Sequence, residues 1–221
     1  MCLKIDNLPV FIPVKKTSIR CPGKNQVLLP HTLTYLQKEG FKNIWVISDS
    51  DELLSLGEQY KVNTFKECLN VAQDELQSCW NLLKNKGYKH FVLCPVTHPF
   101  RSKGLIEKMV KSLNKRFDQV DFLTTCNLYQ DRSQFIVNEV EDQLFCFKNT
   151  YSNRKGMLTV RNIMVDGALY LIKKSYLRDV IKSSDTNKAF WAGRFSCVRN
   201  YAPFLDIDTM DDLDNFKNFY D

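Results

Sequence analysis

Asp206 and Asp208, in "LDIDTMDDLDNF" (205–216), are two carboxylates separated by a single Ile. On extended backbone, residues i and i+2 point to one face, so the pair can converge on one ion. Mg²⁺ takes oxygen ligands and is commonly held by one or two carboxylates together with substrate phosphates. A cation there also removes the repulsion between neighbouring carboxylates. The plainer alternative makes Asp208 or Thr209 the N-cap of the helix that follows, with Asp206 exposed.

The loop Lys15 to Asn25, "KKTSIRCPGKN", is the natural counterpart. It carries Lys15, Lys16, Arg20 and Lys24, the Thr17 and Ser18 hydroxyls, and Gly23. Backbone amides and hydroxyls in such a loop can hold the oxygens of a triphosphate while lysines neutralise them. The loop matches neither GxxxxGK[ST] nor GxGxxG, which sets aside a Walker A site and a dinucleotide-binding turn. Its alternative is a solvated surface loop, since Lys and Arg usually face water. A basic loop and a carboxylate pair in one chain are what a phosphoryl-transfer site needs. Lesser candidates are Asp49, either substrate-facing or an N-cap, and His98 in "CPVTHPF", where flanking prolines favour a turn role. Cys94 is expected in the core, with no partner base to make it a nucleophile.

The elements that must position these residues alternate between strand and helix. Apolar runs at 10–14, 43–48, 90–96 and 120–129 read as strands, and periodic segments at 28–40, 50–60, 68–88 and 102–116 as helices. Strand followed by helix recurs at 167–181. "FLDID" (204–208) is expected as a final strand leading into a last helix. Such alternation predicts an α/β three-layer sandwich around a mostly parallel sheet. Ligands then bind beyond the carboxyl ends of the strands, after Val14, Ser48 and Val96. Between 130 and 165 the pattern alternates like an antiparallel hairpin and is expected to form a short insertion or arm within a single domain spanning 1–221.

The excess of 31 Lys and Arg over 25 Asp and Glu leaves a net charge of +6, which favours anionic partners. The basic residues are scattered, which argues against nucleic acid. The eight cysteines form no CxxC and no zinc-finger spacing. With no signal-peptide pattern and no run long enough to span a bilayer, the expectation is a cytoplasmic protein with reduced thiols and no membrane insertion.

These stretches together resemble the cytidylyltransferases that activate acidic sugars, the CMP-sialic acid and CMP-Kdo synthetases. "IPVKKTSIRCPGKN" is similar to the family's nucleotide loop, with Ser18, Pro22, Lys24 and Asn25 agreeing and Arg20 with "PGK" closer to the Kdo branch. "VISDSDEL" resembles the Ser-Thr-Asp segment through Asp49. "THPFR" resembles Thr-Ser-Pro-Leu-Arg, "DGALYLIKK" the Asn-Gly-x-x-Tyr segment, and "DIDTMDDL" the metal-binding Asp-x-Asp. Lys15 stands where the family has Arg, Lys16-Thr17 where the sialic branch has Gly-Gly, Pro95 where that branch has Gln, and Asp166 where it has Asn.

The resemblance implies a nucleotide-diphospho-sugar transferase-like fold and a Mg²⁺-dependent transfer of CMP from CTP to the anomeric hydroxyl of a free acidic sugar. Asp206 and Asp208 would hold the metal, and Lys24 would be the main phosphate contact. Lys15, Ser18, Arg20, Asn25 and Lys66 would surround the nucleotide. The arm at 130–165 would serve a homodimer. A nucleotidyltransferase acting on a sugar phosphate, and an inactive nucleotide-binding homologue, are the competing expectations.

Overall fold

A computed structural model of the chain describes residues 3, 5, 8–67, 74–129, 137–140, 143–146 and 162–219. Its central sheet has seven strands in the order β3-β2-β1-β4-β8-β5-β9. These are β1 (Val10–Val14), β2 (Ile44–Ser48), β3 (Asn63–Lys66), β4 (His90–Leu93), β5 (Phe122–Tyr129), β8 (Asn162–Lys173) and β9 (Phe195–Arg199). β8 runs antiparallel to both of its neighbours, while the other pairings are parallel. The sheet is mostly parallel, as the alternation of strands and helices predicts. One apolar cluster, including Ile12, Leu29, Val92 and Met109, lies on one face, and a second, including Phe11, Phe91, Phe122 and Leu177, lies on the other. Burial on both faces explains the near-continuous apolar runs of β1 and β4.

The helices are α1 (Lys24–Lys38), α2 (Asp51–Gln59), α3 (Glu75–Leu83), α4 (Leu105–Lys115), α5 (Lys174–Val180), α6 (Thr186–Trp191) and α7 (Met210–Asn218). α1 begins at Lys24, four residues before the expected start, even though Pro30 lies within it. Pro30 has no amide to give back along the helix. Gly23, at φ +79°, turns the chain into the first turn without a side-chain cap. That left-handed conformation suits glycine because it has no Cβ to clash.

Pro13 explains why a cleft opens beside β1. The carbonyls of Pro9 and Phe11 accept the amides of Val92 and Cys94, so alternate residues of β1 face β4. Pro13 is next in that series and has no N–H to continue the ladder. The β1–β4 register accordingly covers Val10 and Phe11 only, whereas the β1–β2 register runs to Val14. Beyond Phe11 the chains part, and the segment Cys94–His98 leaves the sheet.

Three expectations are corrected. Residues 204–208 form no strand: Ile207 is buried and its amide donates to the Thr97 carbonyl at 2.9 Å, a single tether instead of a ladder. β3, α6 and β9 are additional elements; β3 and β9 are short edge strands whose partly exposed residues give no continuous apolar run. β4 stops at Leu93 instead of continuing to Val96. Within the expected arm, β6 (Val137–Val140) and β7 (Gln143–Cys146) form an antiparallel pair, in keeping with the hairpin pattern. Residues 130–136, 141–142 and 147–161, and with them most of the arm, lie outside the described residues, as do residues 68–73 of the expected third helix. Among the described residues no helix is long and apolar enough to cross a membrane.

Candidate active site

A cleft of about 830 Å³ opens at the carboxyl ends of β1, β2 and β4, where the loop after Val14 faces the segment Val96–His98 and the approach to α7. Lys15, Ser18, Arg20, Lys24, Asn25, Asp206 and Asp208 all line it, as do Asp49 and His98. Lys66 does not. Its Nζ pairs with the Asp51 carboxylate on the exposed start of α2, one residue before Glu67, which does reach the cleft.

The first turn of α1 turns two polar side chains inward. Lys24 and Asn25 are each 7% exposed. Asn25 Nδ2 donates to the Lys15 carbonyl at 2.8 Å, which closes the basic loop on itself. Lys24 Nζ donates to the Ile207 carbonyl at 2.6 Å and approaches Asp208 Oδ1 at 3.3 Å. Arg20 Nη1 lies 2.9 Å from the other Asp208 oxygen. Asp208 therefore joins the basic loop and does not cap α7. That role belongs to Thr209, which forms a capping box with Asp212. The capping alternative holds for Thr209, and Asp208 is left to the cleft.

Asp206 faces the other way along the cleft. His98 Nε2 is 3.7 Å from its Oδ1. Burial pushes the Asp206 carboxyl above its usual range, His98 opposes this, and Asp208 adds to the rise. Burial likewise lowers the His98 imidazole, against the pull of Asp206. Asp206 and Asp208, neighbours in a cleft rich in lysine and arginine, form an oxygen donor set of the kind Mg²⁺ takes. Among the described residues no group of three or more His, Cys, Asp or Glu is arranged as a metal cluster, so any metal there would depend on ligand oxygens to complete its shell.

Asp49 is not the cap of α2 either. Ser50 takes that place and accepts from the Leu53 amide, while Asp49 Oδ1 accepts the Lys16 amide at 2.7 Å. It thereby fixes the entry to the basic loop from β2. Cys94 is fully buried and burial raises its thiol, in line with a core role.

The segment "DGALY" has a role that its sequence does not reveal. The β5–β8 register slips between Thr124 and Cys126, so Asp166–Leu169 bulge from β8. Asp166, 2% exposed, fastens the bulge: it accepts from the Thr125 hydroxyl, from Asn127 Nδ2 at 2.9 Å and from the Ala168 amide at 3.1 Å. Gly167, at φ +65°, then packs directly on His98, where an added Cβ would lie 2.9 Å from Nε2. Arg101 ties the two together, donating from Nε to the Ala168 carbonyl at 3.1 Å and from Nη2 to the Pro95 carbonyl. Arg101 and Gly167 thus position His98. Its site role could have been read from the sequence only through its place after the third strand. Glu67 and Glu75, which also line the cleft, gave no motif at all. The Glu75 carboxyl is open to the cleft but closely surrounded by protein, and this desolvation lifts it to about 7, against the pull of Lys15.

No protein-family model matches the chain, and neither does any curated protein. Solved structures do match in fold. The structure of CMP:2-keto-3-deoxy-manno-octonic acid synthetase complexed with CTP aligns with a TM-score of 0.69 at 13% identity, covering 96% of this chain and 98% of that one. A cytidylyltransferase from Leptospira borgpetersenii aligns at 0.66 and 17% identity, covering 95% and 84%. A putative glucose-1-phosphate thymidylyltransferase from Bacillus anthracis aligns at 0.63 and 12%, covering 96% and 94%. The chain has the α/β-sandwich fold of the nucleotidyltransferases. At 12–17% identity the likeness is one of fold, and the CMP:2-keto-3-deoxy-manno-octonic acid synthetase structure is among those that share it.

Proposed function

We propose that the chain is a Mg²⁺-dependent cytidylyltransferase that transfers CMP from CTP to the anomeric hydroxyl of a free acidic sugar, releasing pyrophosphate. The observation that carries this reading is the meeting of Lys24, Arg20 and Asp208 beside Asp206 at the carboxyl ends of β1 and β4. Cations that neutralise Asp208 in the free protein are placed to transfer to phosphate oxygens when a triphosphate enters. Ser18 and the closed Lys15–Asn25 loop supply further donors. Asp206 and Asp208 fit Mg²⁺, which when bound would neutralise charge on the phosphoryl oxygens. Lys24 and Arg20 hold the triphosphate against the loop, and Asp49 fixes that loop at its entry. A homodimer and a cytoplasmic location belong to the same reading.

One observation favours a second acceptor. Glu67 and Glu75 line the same cleft, and carboxylates repel an acidic sugar unless a cation or hydroxyl lies between them. A sugar phosphate bound with its hydroxyls toward Glu67 and Glu75, and its phosphate toward the basic loop, avoids that contact.

The experiment is Mg²⁺-dependent pyrophosphate release from each NTP, with free acidic sugars and sugar 1-phosphates as acceptors. CTP-specific release with an acidic sugar is the expected result. Release only with a sugar phosphate selects the second acceptor. Thermal protection by CTP with no release from any acceptor leaves a nucleotide-binding protein whose acceptor lies outside the panel or that does not turn over. Absence of both protection and release overturns the reading.

A further inference from the structure

A second cavity, of about 430 Å³, lies at the opposite pole of the sheet. β4 starts at His90 and runs toward the first cleft, while β8 runs against it and ends at Lys173, which pairs with His90. The cavity therefore opens at the amino ends of the parallel strands. Lys89, Lys173, Lys174 and Arg178 line it together with His90, and no Asp or Glu is among its lining residues.

Two of these ammonium groups are held by neutral acceptors. Lys174 Nζ donates to the carbonyls of Lys86, at 2.6 Å, and Lys84, at 3.4 Å. Lys173 Nζ donates to the Phe117 carbonyl and lies 4.7 Å from the centre of the Phe117 ring. Carbonyls and a ring face orient a cation without cancelling its charge. The carboxylates at the margin have cations of their own. Asp121 pairs with Arg194 at 3.0 Å, and Asp179 pairs with Lys182 at 2.9 Å and, at 3.5 Å, with Arg178, which it shares with the cavity. The imidazole of His90 feels the surplus: burial first, then Lys173 and Lys89, push it down to about 4.

We propose that this cavity is a second anion site, taking a small phosphate-bearing polyanion such as a di- or triphosphate, separate from the candidate nucleotide cleft. A single carboxylate would answer one of the four cations. A polyphosphate spreads several charges over oxygens that four cations can meet at once, each contact a charge-assisted hydrogen bond. The volume of this open cavity suits a small molecule. Binding sets phosphate oxygens against Lys173 and Lys174, whose hydrogen-bond partners are neutral, so the ligand adds to stability as it binds.

The chain's three histidines make the test direct, because His98 lines the first cleft and His90 the second. Inorganic tripolyphosphate is titrated into the wild-type protein while both imidazoles are followed by NMR at constant ionic strength. The expected result is a saturable shift at His90 with its own affinity, weakened about tenfold or more in Lys89→Glu/Arg178→Glu while the His98 response is kept. Arg178→Gln, a change on an exposed side chain, gives a smaller loss in the same direction and serves if the double variant fails to fold. A titration that moves His98 alone, a His90 shift reproduced by sodium chloride, or a His90 affinity indifferent to these substitutions would overturn the proposal. None of these outcomes depends on turnover in the first cleft.

Discussion

Lys24 and Asp208, 184 residues apart in the chain, meet at 3.3 Å, and the same ammonium donates to the carbonyl of Ile207. The first turn of α1 is thereby fastened to the approach to α7. Lys24→Met keeps the bulk of the side chain and removes the charge. It is expected to lower CTP-dependent pyrophosphate release by about a hundredfold or more, with a smaller loss of stability because Arg20 still holds Asp208. Steady-state release and urea unfolding on the same preparation check both parts.

Asp206→Asn and Asp208→Asn preserve shape and delete one negative charge each. Each is expected to reduce turnover by about two orders of magnitude or more while far-ultraviolet circular dichroism is unchanged. Wild-type turnover in the double variant would assign the pair a structural role only.

Gly167→Ala places a Cβ 2.9 Å from His98 Nε2 at a residue with φ +65°. Both strain and contact are unfavourable, so a loss of about 1–3 kcal/mol is expected, together with a displaced His98. The His98 ring resonance and the midpoint of urea unfolding report the two effects separately.

Asp166→Asn and Asp166→Leu should separate sharply. In Asp166→Asn one oxygen still accepts from Thr125 and the Ala168 amide, and Asn127 can turn its own oxygen toward the new amide. The expected cost is about 1 kcal/mol or less. Asp166→Leu strands two buried donors, the Thr125 hydroxyl and the Ala168 amide, and the half-buried Asn127 amide, and is expected to cost roughly 3 kcal/mol or more. Similar costs for the two variants would show that Asp166 does not fasten the bulge through these hydrogen bonds.

His90 gives the fold a pH dependence. Its folded-state pKa is lowered from 6.5 to about 4, so between these values the unfolded chain binds a proton that the folded chain does not. Stability therefore falls as pH drops through that window and levels off below it, by up to about 3 kcal/mol. His90→Gln is expected to flatten this part of the profile. His31 and His98 are lowered too, so the His90 share is the difference between wild-type and variant unfolding near neutrality and near pH ~4.5.

The amino-acid sequence by itself determined the class of fold, because β1, β2 and β4 are apolar on both faces and the intervening segments carry helical periodicity. It also singled out residues that the fold brings to one cleft: the basic loop and the Asp206–Asp208 pair have types and spacing that elementary coordination and phosphate chemistry recognise. What it did not contain is where partners meet. On strand geometry, Asp206 and Asp208 would share one face of a ladder; in the fold they lie on irregular backbone tethered by Ile207, with Asp208 turned to Lys24 and Arg20 and Asp206 to His98. The edge strands β3 and β9 carried too little apolar signal to be seen, since one side of each faces no neighbouring strand. Lys66, on β3, consequently lies apart from the residues it was grouped with. The bulge at Asp166–Leu169, the seat of His98 against Gly167, and the cationic cavity around His90 and Lys173 each depend on residues brought together across adjacent strands. Register and crossover order decide such meetings, and both are properties of the packed sheet and not of any local stretch of chain.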